Sequence, residues 1–311
     1  MKLSDVGETW PVVTTLRPVV DSVVRSVCGR GVERLVPLTG GGMNETYRAD
    51  LGDGVAVVVR IARQRQPWFV DEAQIMMATR AAGVPTAEVI GLEHLEYGGE
   101  LLSFSIQEFL PGRSLDALAG ELSAADLERV VVESGEILAR VHSVDIDRGV
   151  RHELRMPEDR DVARVAGIVR EALGPLQAAV VERGADFLRQ QLSTRAAPLI
   201  SLVHGDFCPK NLLVHDGTVV GFIDWEFAGR ASPAYDFAQW EVDAGDLLHD
   251  RLDLVRRGYA RVADPGAADD GWRPAFAIDW ALEKLGWRNP ASPAQFRRCL
   301  DVIARYADQR S

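Results

Sequence analysis

The chain has 311 residues, 47% hydrophobic and 26% charged, with a formal net charge of -11, enough for one large domain or two lobes around packed cores. No run of about 18 apolar residues is present, so no membrane span is expected. The acidic balance argues against nucleic-acid or anionic-membrane partners, which need a basic footprint, and would suit a cationic ligand.

In chain order, Val19, Val20, Val23, Val24 and Val27 recur at helical intervals and predict an opening helix, followed by a strand over 33–38. Gly40-Gly41-Gly42 makes a turn, and Gly52-Asp53-Gly54 joins strands over 44–51 and 54–61 in a hairpin. A helix over 69–82 stops at Gly83-Val84-Pro85, and two more strands are expected near 88–94 and 101–108. After Leu110-Pro111-Gly112 the pattern turns helical. Ser123-Ala124-Ala125-Asp126 is a capping box opening a helix with an apolar stripe from Leu127 to Val141. Further helices are expected around 158–193, 234–248, 251–263, 272–286 and 293–308, with short strands over 199–203, 212–214 and 219–223 among them. The fold class is therefore α+β and bilobal, with a small β-rich N-terminal lobe over 1–109 and a larger helical lobe over 110–311. The three cysteines, Cys28, Cys208 and Cys299, have no paired spacing, and Met1 to Asp5 lack the apolar segment of a signal peptide. Both features suit a cytoplasmic protein with reduced thiols.

The stretch Val203 to Asn211, followed by Ile223-Asp224-Trp225, carries the chemistry. His204, Asp206, Asn211 and Asp224 stand in the protein-kinase order His-x-Asp-x-x-x-x-Asn, then Asp. A hydroxyl attacking a terminal phosphate must lose a proton, and Asp206 can accept it. Phosphate charge must be offset by magnesium (Mg2+), a hard ion that takes oxygen ligands, and Asn211 and Asp224 can supply them. Asx residues in turns often make local hydrogen bonds and nothing more; three at these intervals, each beside an apolar strand, make that the weaker reading. His204 is either a loop anchor or a second proton carrier. Cys208 has no activating partner and reads as a small packed residue.

Nucleotide would sit between the lobes. Gly40, Gly41 and Gly42 can cover its phosphates, because chain without Cβ atoms approaches closely and presents N–H donors; a plain hairpin turn is the simpler alternative. Protein kinases place a lysine on the next strand and pair it with a glutamate on the next helix. The only lysines are Lys2, Lys210 and Lys284, so Arg60 takes that place with Glu72 as partner, Arg63 and Arg65 being the other choices.

These features resemble the aminoglycoside phosphotransferase family of small-molecule kinases over residues 36–240, through Leu38 to Asn44, Arg60, Glu72, the 82–85 segment, Glu108 to Gly112, Leu138 to His142, Val203 to Asn211, Ile223 to Glu226 and Ser232 to Asp236. Arginine on the nucleotide strand is similar to the hygromycin and some macrolide branches. The resemblance implies transfer of the terminal phosphate of ATP or GTP to a hydroxyl of a small molecule, often an antibiotic. It implies nucleotide contacts from Asn44 and from the chain at Gln107, Glu108 and Phe109, and a loop-stabilising or helix-capping role for Asp236. Gly205 stands where protein kinases carry an arginine that reads a phosphorylated loop, so activity should need no phosphorylation. Ser232 departs from the aspartate frequent in the family.

The acidic run Glu241, Asp243, Asp246, Asp250 and Asp253 could attract a polyamine or form a solvated face, and Glu226, Trp240, Glu241 and Asp243 are the candidate acceptor contacts. Tryptophans 240, 272, 280 and 287 could line a pocket or pack the core. Monomer and homodimer are both open. The alternatives to an antibiotic kinase are a metabolic kinase for an amino alcohol, sugar or glycated amine, and a nucleotide-binding pseudokinase.

Overall fold

A computed structural model of the chain describes residues 15–38, 44–63, 68–145, 155–158, 160–268, 271–286 and 293–308. Helix α1 (Arg17–Cys28) buries Val19, Val20, Val23 and Val24. Each such valine contributes about 1.5–3 kcal/mol on full burial. The helix lies on an antiparallel sheet of β1 (Arg34–Pro37), β2 (Glu45–Asp50), β3 (Ala56–Ala62), β4 (Val89–Tyr97) and β5 (Glu100–Glu108), in the order β1-β2-β3-β5-β4. Asp53 takes φ 53° in the β2–β3 hairpin, between Gly52 and Gly54, as the turn signal predicts. Strand β4 runs three residues past the expected 94, because Gly98-Gly99, both at positive φ, makes the turn to β5. The triglycine turn lies outside the described residues.

Helix α2 (Trp68–Ala81) separates β3 from β4 in the chain and belongs to a different core. Tyr47, Val59, Phe104 and Ile106 form the sheet's own core with α1. Ile75 and Met76 of α2, with Val84 and Ala87, pack instead among Leu138, Phe207, Trp225 and Phe237. The Phe222 N–H donates to Pro85 O at 2.7 Å and ties this segment to the helical part.

Beyond Phe109 come β6 (Arg113–Ser114), α3 (Leu115–Leu118) and α4 (Ala124–His142), the last capped by Ser123, whose Oγ accepts the Asp126 N–H. The helical stretch expected around 158–193 is two helices, α5 (Val162–Leu173) and α6 (Pro175–Thr194), broken at Gly174-Pro175. Then follow β7 (Ser201–Val203), β8 (Leu212–His215), β9 (Thr218–Phe222), β10 (Gly229–Ala231), α7 (Ala234–Asp243), α8 (Leu252–Tyr259), α9 (Pro265–Ala268), α10 (Arg273–Leu285) and α11 (Pro293–Ala307). Strand β8 pairs with β6 and β9, and β7 pairs with β10, so the catalytic stretch crosses between two small ladders. Helices α5, α6, α7, α10 and α11 build a third core. Among the described residues no helix is long and apolar enough to cross a membrane.

Helices α4 and α8 approach closely at two glycines. A Cβ on Gly135 would lie 1.9 Å from Val255 O, and one on Gly258 1.8 Å from Val132 O. Gly135→Ala is therefore expected to cost about 3 kcal/mol of stability by forcing the backbones apart. A denaturant titration checks this, and an unchanged midpoint would show that the helices separate freely.

Candidate active site

The loop between β7 and β8 is shaped by what holds its backbone. Asp236, fully buried in the first turn of α7, accepts the His204 N–H at 2.8 Å and the Gly205 N–H at 2.9 Å. One turn on, Gln239 accepts the Phe207 N–H at 3.0 Å and donates to Gly205 O at 2.6 Å. One face of α7 thus satisfies four backbone groups of the loop. Gly205 has φ 84°, and a Cβ there would lie 2.0 Å from Phe227 O, so the turn admits no side chain. Of the two roles expected for Asp236, the structure shows the loop-stabilising one, while Ser232 Oγ accepts the Ala234 N–H.

His204 is an anchor. Its Nδ1 accepts the Asp206 N–H at 3.2 Å, which leaves Nε2 to donate to Ile223 O at 3.0 Å. The ring stacks on Phe222 with centroids 3.9 Å apart. Burial pushes its pKa down, and the neutral ring fits both bonds. Cys208 is buried, with its thiol pKa pushed up by burial.

Asp206 is 5% exposed. Its Oδ2 accepts from Asn211 Nδ2 at 2.9 Å and meets Lys210 Nζ at 2.9 Å. Burial alone would raise the Asp206 pKa, and the Lys210 ammonium, together with its other neighbours including the Asn211 hydrogen bond, holds the carboxyl below its usual range. The Asn211 amide nitrogen is spent on Asp206, so its side-chain oxygen is the end left for another ligand. The Ile223 N–H donates to Asn211 O at 3.0 Å, which brings Asn211 beside Asp224. Asp224 has φ 68°, ψ 60°, a backbone state rare outside glycine, and its side chain is 32% exposed. These are hard oxygen donors, an amide and a carboxylate, suited to magnesium that keeps water and phosphate oxygens as further ligands. Among the described residues no group of three or more His, Cys, Asp or Glu side chains could hold a metal.

Arg60 on β3 reaches from the sheet to the segment after β9. One terminal nitrogen contacts Glu72 of α2; the other lies 3.1 Å from Glu226 and 3.6 Å from Asp224. Asn44 Nδ2 donates to the same Glu226 oxygen at 3.1 Å. Burial and the Asp224 charge raise the Glu226 pKa to about 7. Glu226, expected among the acceptor contacts, therefore faces Arg60 and Asn44 on the side of the sheet. Arg63 is engaged with Glu45 and Glu100, away from this cluster; Arg65 lies outside the described residues.

At the end of β5 the Glu108 N–H is taken by Glu88 O at 2.8 Å, and its carboxylate pairs with Arg80. The Gln107 side chain is buried on Ser105, and Arg48 covers the Phe109 ring at 4.3 Å. The first backbone beyond the ladder is that of Phe109.

Three expected acceptor contacts are spent inside the protein. Trp240 is fully buried, tilted against Phe207 with Nε1 donating to Leu248 O, so it packs the core and walls no pocket. Glu241 is 3% exposed and is neutralised by Arg273 and Arg305, with the Tyr306 hydroxyl donating to it. Asp243 pairs with Lys284 at 3.1 Å and accepts from Trp280 and Gln295. The physical reason is shared: nine of ten residues of α7 are buried, so the helix has no solvated face for an acidic run.

Residues 34–264 match the profile of the phosphotransferase enzyme family. The chain belongs to this family. No curated protein matches it. Among solved structures, this phosphotransferase is similar to aminoglycoside phosphotransferase APH(4)-Ia in a ternary complex with ADP and hygromycin B, at 18% identity and TM-score 0.64 over 94% of this chain and 99% of that one. A protein of Ralstonia eutropha, provisionally assigned as an aminoglycoside phosphotransferase, is 21% identical with TM-score 0.63 over 94% and 98% of the two chains. A Thermobifida fusca protein, provisionally assigned as a fructosamine-3-kinase, is 21% identical with TM-score 0.58 over 93% and 98%. At these identities the likenesses establish the shared fold. Gln239, which acts across 34 residues of chain, supports the site without having been legible in the sequence, whereas His142, whose Nε2 lies 3.0 Å from Asp236, stood in the Leu138 to His142 stretch without a role assigned to it.

Proposed function

We propose that this phosphotransferase moves the terminal phosphate of ATP to a hydroxyl of a small molecule, with an antibiotic of aminoglycoside or macrolide type as the leading acceptor class. The observation that carries the reading is the arrangement of Asp206 and Asn211 on the pinned β7–β8 loop beside Asp224, which follows β9 and lies 3.6 Å from Arg60 of the sheet. Asp206 accepts the acceptor's proton; Asn211 holds Asp206 in place; Arg60, paired with Glu72, spans the cleft on the nucleotide side. Magnesium on the Asn211 oxygen and the Asp224 carboxylate would offset phosphate charge and orient the transferred group. The backbone at Phe109 would meet the nucleobase. The pairing of Arg60 with Glu72 counts against a pseudokinase. Three free cysteines and the nucleotide donor both suit the cytoplasm.

A metabolic acceptor, such as an amino alcohol, sugar or glycated amine, is the second reading. It is favoured by the internal neutralisation of Glu241 and Asp243, which removes two charges that would draw a polyamine. The test is release of ADP, and of GDP from GTP, by purified protein across a panel of aminoglycosides, macrolides and small metabolic alcohols. One chemical class is expected to stimulate turnover, and stripping divalent ions with a chelator is expected to lower the rate at least about a hundredfold, with recovery on adding magnesium. Nucleotide binding without stimulation by any acceptor would overturn the reading.

A further inference from the structure

We infer that Lys210 is a catalytic residue: its ammonium, shared between Asp206 and the terminal phosphate of the bound nucleotide, shifts wholly to the phosphoryl group in transit as the acceptor's proton arrives. This rests on the phosphotransfer reading above.

Three observations lead there. First, Arg60 is committed. Its guanidinium serves Glu72 and Glu226 and lies 3.6 Å from Asp224, so one cation faces three carboxylates on the nucleotide side of the cleft. Negative charge spread over the nonbridging oxygens of a transferring phosphoryl group needs a cation that Arg60, so held, cannot fully supply. Second, among the described residues Lys284 is held by Asp243, which is 7% exposed, and that leaves Lys210 as the lysine at the loop. Third, Lys210 combines attachment with freedom. Its ammonium lies 2.9 Å from Asp206 Oδ2 while its side chain is 56% exposed. Its backbone sits in a short 3-10 turn begun by Pro209 and closed where the Asn211 N–H donates to Cys208 O, which fixes the stem while the long side chain can swing.

The carboxylate geometry divides the labour. Oδ2 carries Asn211 and Lys210, whereas Oδ1 meets the Cys208 thiol at 3.7 Å. Oδ1 is thus the oxygen with room for the acceptor hydroxyl. In the transfer, the acceptor oxygen bonds to the terminal phosphorus as the bond from that phosphorus to the bridging oxygen breaks. The bond's electron pair leaves with ADP, and the hydroxyl proton passes to Asp206. Asp206 becomes neutral at that moment and its hold on Lys210 weakens, while the phosphoryl oxygens remain anionic. The ammonium follows the charge.

The test compares Lys210→Met, which keeps length and removes charge, with Lys210→Arg, which keeps the charge. Affinities for ADP and for AMP-PNP, each with magnesium, are measured by calorimetry on the full chain, alongside kcat and KM with whichever acceptor proves active. The methionine variant is expected to bind ADP within about twofold of the parent, to bind AMP-PNP about tenfold more weakly, and to lose about a hundredfold in kcat with the acceptor KM little changed. The arginine variant should recover most of that loss. Equal changes in ADP and AMP-PNP affinity, or a kcat within about threefold of the parent, would overturn the assignment. If the parent protein transfers phosphate to no acceptor, the function proposed above fails. The difference between ADP and AMP-PNP binding still decides whether Lys210 reaches the terminal phosphate.

Discussion

Asp206→Ala is expected to lower kcat by about a thousandfold, the middle of the range for a positioned general base. Nucleotide affinity should change little, because the Asp206 carboxylate touches Lys210 and Asn211 and no residue of the sheet. Folding should survive, since Asn211 Nδ2 keeps its bond to Asp206 O at 2.8 Å and the exposed Lys210 regains water. Asp206→Asn sharpens the test, because the amide preserves shape and hydrogen bonding but takes up no proton. Single-turnover rates with saturating nucleotide read the chemical step directly. More than about a tenth of parental activity in the asparagine variant would remove the base role, given the size of a general-base contribution.

Asp236→Ala should be the most destructive change to the protein that leaves every proposed reacting group in place. It strips a fully buried carboxylate from two backbone N–H donors and from His142. Orphaned buried donors cost about 1–3 kcal/mol each, so a loss of about 3–5 kcal/mol is expected. Thermal unfolding measures it, and kcat should fall along with stability as the loop loses its position. Asp236→Asn keeps one acceptor oxygen and should recover part of both. A stable alanine variant with intact turnover would show that Gln239 alone holds the loop.

The sequence revealed these parts unevenly, for physical reasons. Local chemistry was plain: the Gly52-Asp53-Gly54 hairpin and the Ser123 cap depend on neighbours a few residues away, and the reacting groups of the loop from His204 to Asn211 stand in one short run although α7 holds its backbone. The two-residue strand β6 and three-residue strand β10 were invisible, because a strand that short shows no alternation and exists only where β8 and β7 offer partners. Helix α7 misled in the other direction. Its charges look like a surface, yet Glu241 is buried and the Asp243 side chain is 7% exposed because Arg273, Arg305 and Lys284 arrive from α10 and α11 to meet them. The role of Asp236 was readable as one of two options, and its geometry appears once α7 is set against the loop.

The placement of α2 has a mechanical consequence. The helix is built into the larger core through Ile75 and Met76, whereas β3, which bears Arg60, belongs to the sheet's own core. The contact of Arg60 with Glu72 therefore spans the seam between two hydrophobic clusters. Glu72 Oε2 is buried there with no hydrogen-bond partner. Parting the seam forfeits the attraction of the pair but returns both charges and that stranded oxygen to water, and for buried ion pairs these two effects nearly cancel. The seam is therefore a balanced clasp, whose opening is expected to cost little net free energy and to need no external trigger.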